Sequence, residues 1–341
     1  MSETKIIGGE FKIPADVLQM DSIRSNEPVY SLGRTCFYAI LEDIKKLVPE
    51  NGVLLPDYLC SSVAEVPARL GTPFKHYHVN SNFLPDMDSL RNLLDYNGEK
   101  CTVMLIAYFG LVNLDDTITA IRRDFPGTTI IVDDVQNFYG FGQHTDYDYC
   151  FTSYRKWFAV PDGADVLKKN GPMKLSSFQE QPAYVQYKAA GNLLKNHGDI
   201  VDETIALELI EKGENMMDTE YLYRCSDVSS ELFKRIDFDM VQTQRRLNAE
   251  ILHEGLEKLN IRHLYDGAKT PLFVPIIVPN RDRLRKRLFS EMIFAPVHWP
   301  VESKELQGTN ELYGTELSLI CDQRYDRADM ERILHVIKDE M

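Results

Sequence analysis

The chain lacks any long apolar run: no stretch reaches the roughly 18 consecutive apolar residues that a membrane span requires. It is also short of positive charge, with 38 Lys and Arg against 52 Asp and Glu, a formal net charge of -14. Nonspecific nucleic-acid binding rests on Lys and Arg contacts to phosphates, so that class is disfavoured. The six cysteines form no CxxC pair and no other metal-ligand spacing, so no metal site is expected. Cys36, Cys101 and Cys150 sit inside apolar runs, which favours reduced thiols in a cytoplasmic protein. Met1 to Lys5 carry no apolar leader core, and cytoplasmic location is the expectation. No GxGxxG follows an early strand, which argues against a dinucleotide-binding Rossmann protein. Internal repeats and low-complexity segments are absent too.

What is present is an ordinary globular composition, 44% hydrophobic and 26% charged over 341 residues. That length suits a large domain and a smaller one. From about 53 to 168, short apolar runs alternate with helical stretches. Strands are expected at Val53–Leu55, Phe74–Val79, Val103–Phe109, Thr129–Val132, Asp148–Ser153 and Asp165–Leu167. Helices between them imply parallel pairing with crossovers, and ligands then gather at the carboxyl ends of the strands. Later, a single long helix is expected through Leu232, Ile236, Met240, Leu247, Ile251 and Leu256. Strands and helices across 265–341 suggest an α+β unit. The basic run Arg281, Arg283, Arg285, Lys286, Arg287 reads as the solvated face of a helix.

Three segments carry chemistry. In the first, Gly33, Arg34 and Thr35 open an amphipathic helix whose stripe includes Phe37, Ile40, Leu41 and Ile44. A glycine at a helix start lets backbone N–H groups approach a phosphate, and the helix dipole favours the charge. A plain cap by Ser31 or Thr35 is the alternative. In the second, Asp133 ends an apolar strand, where a carboxylate is costly to bury without a partner. Gln136 follows one helical turn later, though Asp133 or Asp134 could simply cap that segment. In the third, Lys156 lies between Arg155 and Trp157, with Ser153 three residues before it. A neighbouring cation and partial burial lower a lysine pKa, as a Schiff-base amine requires. An acid for a pyridine nitrogen and an amine for an aldehyde are the two groups that pyridoxal phosphate needs.

In this order the segments resemble the fold-type-I pyridoxal-phosphate enzymes, and within them the DegT/DnrJ/EryC1/StrS sugar aminotransferases. The family's Ser-Gly-Thr turn is similar to Leu32-Gly33-Arg34, and its Pro-Ser-aromatic strand end to Pro56-Asp57-Tyr58. Its Glu-Asp-Ala-Ala-Gln signature is similar to Val132-Asp133-Asp134-Val135-Gln136, and its lysine loop to Lys156 through Gly163. Arg245-Arg246-Leu247-Asn248 and Ala295 through Pro300 also resemble it, so the likeness spans roughly residues 30 to 335. Phe151 stands where the family has a serine, Cys60 where it often has an aromatic, and its Asn-Tyr-Arg segment is missing.

The resemblance implies a large domain over 1–225 with a mostly parallel seven-stranded sheet, and a smaller α+β domain over 226–341. It implies an aminotransferase that holds pyridoxal phosphate through Lys156 and Asp133, with Gly33, Arg34, Thr35, Tyr58, Gln136 and Ser153 as cofactor contacts. Glutamate is the expected donor, a nucleotide-linked keto sugar the acceptor, and a homodimer the expected assembly. Arg324 is a candidate for a donor carboxylate and His298 for the sugar, each against ordinary structural pairing. The rival readings are a lyase or desulfurase, for which Cys225 is the one thiol in a polar loop setting, and a regulatory protein that keeps the fold without turnover.

Overall fold

The computed structural model describes residues 5–13, 21, 28–48, 51–97, 101–173, 182–195, 202–217 and 223–341. A two-residue strand, β1 (Ile7–Gly8), comes first, then helix α1 (Gly33–Leu47). The central sheet follows from β2 (Gly52–Pro56), β3 (Phe74–Tyr77), β4 (Cys101–Ile106), β5 (Thr129–Asp133), β6 (Tyr149–Ser153) and β7 (Ala164–Lys168). Its order is β3-β2-β4-β5-β6-β7, and every pairing is parallel except β6 with β7. All six residues of β4 are buried, as a strand covered on both faces requires. Three helices, α2 (Ser61–Arg69), α3 (Met87–Asn97) and α4 (Asp115–Asp124), supply crossovers.

Seven strands were expected, and the sheet has six among the described residues. The place beyond β7 is taken by single-residue bridges instead. Tyr30 pairs antiparallel with Ala164 on one side and with Arg224 on the other.

Helices α5 (Tyr184–Leu194) and α6 (Glu203–Met217) pack on each other. The long helix expected next is two: α7 (Asp227–Phe233) and α8 (Phe238–Lys258). Asp237 divides them by accepting the Met240 N–H at 2.9 Å, a helix-starting cap. Met240 and Leu247, two positions of the expected helical pattern, are 53% and 56% exposed. The inward face of α8 is instead Val241, Arg245, Asn248, Ala249, Leu252 and Leu256.

The rest of the chain gives β8 (Val274–Ile277), α9 (Arg281–Ser290), β9 (Ile293–Phe294), α10 (Lys304–Gln307), α11 (Leu312–Thr315), β10 (Glu316–Leu319) and α12 (Arg327–Glu340). β8 and β10 pair antiparallel, and β1 pairs parallel with β9. One core fills the space around the central sheet; a second joins α8, α9 and α12 to β8 and β10. A third, rich in aromatics, joins Tyr154, Trp157 and Phe158 to Phe233 and Phe238. It forms a wall behind the lysine turn. None of the described helices is long and apolar enough to cross a membrane.

Candidate active site

The carboxyl ends of β5 and β6 open into one cavity of about 720 Å³. Gly33, Arg34, Asp133, Gln136, Ser153, Lys156, His298 and Arg324 all line it. Residues separated by up to 291 positions (324 less 33) therefore converge. Thr35 and Tyr58 are not among the lining residues. Thr35 is buried, and its hydroxyl meets that of Ser31 at 3.0 Å. Tyr58 is buried in an aromatic cluster with Phe83, Tyr108, Trp299 and Tyr313. Its phenol is directed to Glu316 Oε2 at 3.4 Å.

The acid and the lysine turn are fastened together. Asp134 N–H donates to Phe151 O at 2.8 Å, and the Thr152 hydroxyl donates to Asp134 O at 3.0 Å. Trp157 Nε1–H donates to Val135 O at 3.0 Å. The lysine turn, residues 154–156, thus hangs from the segment that carries the acid. Asp133 itself accepts the Val135 N–H at Oδ1, 2.8 Å away. Burial raises its carboxyl to about 7, against the relief from that N–H, and Asp134 adds a like charge. A cation facing it would be strongly favoured. Asp134 is a different kind of group: it accepts from Asn137, Gly142, His144 and Cys150 and is fully engaged.

Lys156 stands accessible within the cavity, walled by protein. The Arg155 guanidinium, and then burial, lower its amine to about 8. Arg155 in turn pairs with Glu214 at 3.3 Å, and Lys188 also bonds that carboxylate. The two cations hold Glu214 down to about 2 against its burial. Glu214 and Lys188 come from the α5–α6 pair, and their relation to the lysine turn had no signature in the chain.

At the other end, Gly33 begins α1 with no side-chain cap. A Cβ at Gly33 would lie 3.0 Å from Val135 Cγ2 and 3.5 Å from Ser153 Cβ, so only glycine leaves this cradle open. The first turn of a helix, at the positive end of its dipole, suits a phosphate. Gln136 accepts the Phe109 N–H at Oε1, 2.8 Å away, which leaves its NH₂ as the donor it can offer the cavity. Phe109 holds a left-handed φ of 58°, a conformation that costs energy for a side-chain-bearing residue. The set fits pyridoxal phosphate: a cradle for the phosphate, a buried acid for the ring nitrogen and an amine for the aldehyde.

His298 bonds Ser318 Oγ through Nδ1 at 2.8 Å, and its backbone N–H donates to Glu316 Oε2 at 2.8 Å. Burial, then the Lys156 cation, lower it to about 3, so it is a neutral imidazole. Arg324 is already occupied. It grips Asp322 at 2.9 and 2.7 Å and donates to the carbonyls of Gly9 and Glu10 at 3.0 and 3.1 Å. Little of it remains for a donor carboxylate. The basic run of α9 is not wholly a solvated face: Arg281 is buried on the carbonyls of Tyr313 and Glu316, and Arg285 lines the cavity. Cys225 does not line the cavity, and burial beside Asp162 raises its thiol far above the ordinary range. Cys60, at the start of α2, does line it.

Sheet order, the single antiparallel β7 and the site at the strand ends define the fold-type-I architecture of pyridoxal-phosphate enzymes. Solved structures agree. A sugar aminotransferase from Streptococcus pneumoniae in its apo form matches with a TM-score of 0.68 at 12% identity, over 97% of this chain and 92% of that one. A DegT DnrJ EryC1 StrS aminotransferase from Brucella abortus matches with a TM-score of 0.60 at 16% identity, over 93% and 86%. A NifS-like protein from Rickettsia africae matches with a TM-score of 0.57 at 13% identity, over 92% and 81%. At such identities the likeness is one of fold. No family model matches the chain, and neither does any curated protein.

Proposed function

We propose that the chain is a pyridoxal-phosphate-dependent aminotransferase that moves an amino group from an amino acid to a keto sugar. The observation that carries this reading is the shared cavity of Asp133 and Lys156, with the Gly33 cradle opening into it. Glutamate as donor and a nucleotide-linked sugar as acceptor belong to the same reading, as do a cytoplasmic homodimer and a domain boundary near residue 225. The similarity of fold to sugar aminotransferases supports the choice of acceptor. A desulfurase reading is weaker, because Cys225 lies away from the cavity in a setting that keeps it a thiol.

The bound cofactor withdraws electrons from the carbon that carries the amine. Asp133 would hold a proton at the ring nitrogen. The first turn of α1, with Gly33 and Arg34, would hold the phosphate, and Ser153 would add a hydroxyl beside it. The Gln136 NH₂, with its Oε1 taken by the Phe109 N–H, would be a donor for the ring's phenolic oxygen. Lys156 Nζ, lowered to about 8, is a base able to take and return a proton near neutral pH. Neutral His298 offers the sugar a hydrogen-bonding edge without adding charge.

The test is an absorbance spectrum of the purified protein with pyridoxal phosphate, before and after borohydride, beside Lys156→Ala. A visible band that borohydride abolishes is expected in the wild type only. The same band in the variant would overturn the assignment of Lys156. Loss of that band on adding glutamate, and its return with a keto-sugar nucleotide, would separate a transaminase from a protein that merely binds the cofactor.

A further inference from the structure

Far along α8 from the cavity, His253 and Glu257 stand one helical turn apart, and His263 follows the helix. One nitrogen or oxygen from each lies within 4.8 Å of the others. His253 Nδ1 is 2.7 Å from His263 Nε2, and Glu257 Oε1 is 3.7 Å from that same nitrogen.

The protons can be assigned. His263 Nδ1 lies 2.9 Å from the Ile261 carbonyl, which can only accept, so Nδ1 carries the hydrogen. The His263 Nε2 lone pair is therefore free to point at its neighbours, and His253 Nδ1 donates to it. A histidine whose far nitrogen is fixed by a carbonyl is the usual arrangement of a metal ligand. His263 is also held rigidly. Ile277 N–H donates to Arg262 O at 3.0 Å and Leu264 N–H to Pro275 O at 3.2 Å, one on each side of it. Its side chain is 2% exposed, whereas that of Glu257 is 66% exposed, which leaves an open side for entry and for a water.

We infer that His253, Glu257 and His263 form a site for a transition-metal dication of the zinc type, with water as the fourth ligand. Two imidazoles and one carboxylate suit zinc by donor type. Tetrahedral zinc with bonds of about 2.0–2.1 Å sets its two nitrogens about 3.4 Å apart, so the pair must open slightly from its hydrogen-bonded spacing. No proton need leave the pair, because His253 moves its hydrogen from Nδ1 to Nε2. The ion would tie the end of α8 to the segment entering β8. The cluster of Asp134, His144 and Cys150 is a poorer candidate, because its carboxylate is saturated by Asn137 and Gly142 as well.

The test is a titration of untagged protein with Co²⁺, followed by its visible absorption, and with Zn²⁺, followed by bound metal per chain and by the melting temperature. One tightly bound ion, a tetrahedral cobalt spectrum and a raised melting temperature are expected. His263→Ala should abolish the cobalt spectrum, and Glu257→Gln should weaken binding about 10-fold or more. Glu257 is exposed, so that variant folds even if His263→Ala does not. Binding unchanged in Glu257→Gln, or a cobalt spectrum surviving in His263→Ala, would overturn the site.

Discussion

Arg155→Gln isolates the reason that Lys156 is a weak base for a lysine. The Arg155 guanidinium is the largest cause of the lowering to about 8, ahead of burial. At pH 7 an amine of that pKa is neutral in about 10% of molecules. A nearby charge moves a pKa by about 1 to 3 units, and taking the lower end raises the variant's pKa by about one unit. Glu214 then keeps only Lys188 as a cation and pulls the same way. The neutral fraction at pH 7 falls about 10-fold. The assay is competitive labelling with trace acetic anhydride on cofactor-free protein, with Lys156 read by mass spectrometry across pH. In the wild type, labelling should rise through a midpoint near pH 8. In Arg155→Gln the midpoint moves up and labelling at pH 7 drops about 10-fold, while Arg155→Lys keeps the wild-type profile. A midpoint that stays near 8 in Arg155→Gln would show that burial alone sets it.

Asp133→Asn should stabilise the cofactor-free protein at high pH. The native carboxyl is raised from 3.8 to about 7, so the stability from its proton is complete below about pH 4 and is lost as pH rises through 7. Three units correspond to at most about 4 kcal/mol. The variant should melt above the wild type at pH 8 and together with it at pH 4, while losing cofactor affinity. Gly33→Ala places a methyl 3.0 Å from Val135 Cγ2 and should weaken pyridoxal phosphate binding about 10-fold or more, as equilibrium titration reads it, with little change in melting temperature. His144→Ala takes a partner from the buried Asp134 carboxylate and should cost about 2–3 kcal/mol in urea unfolding.

The chain itself disclosed the groups that sit at ends of apolar runs. Asp133 closes β5 and Ser153 closes β6, and the 2-residue period and strand rule suffice to bring them to one edge. The break between α7 and α8 was hidden, because a helical period runs on through Ile236 while Asp237 restarts the backbone. The inward members of the α9 basic run were legible in principle: Arg281 and Arg285 share a face with the buried Leu284 and Leu288. The surroundings of Tyr58 could not be read from its local motif, since they come from Trp299 and Tyr313, over 240 residues later. The Arg155–Glu214–Lys188 group joins separations of 59 and 26 residues, and no periodicity encodes it.

Arg245 is buried and stacks on Trp157, with its centre 4.8 Å from the ring. Its guanidinium donates to Trp157 O at 3.4 Å, to Leu272 O at 3.0 Å and to Gln323 Oε1 at 2.9 Å. Separating those three segments would strand a cation with no water to receive it. The portion of the C-terminal half nearest the amine therefore serves as a hinge pin. Prising the lysine turn from Leu272 or Gln323 would strip that cation of its partners, so the wall behind the amine keeps its shape whatever the rest of the cavity lining does.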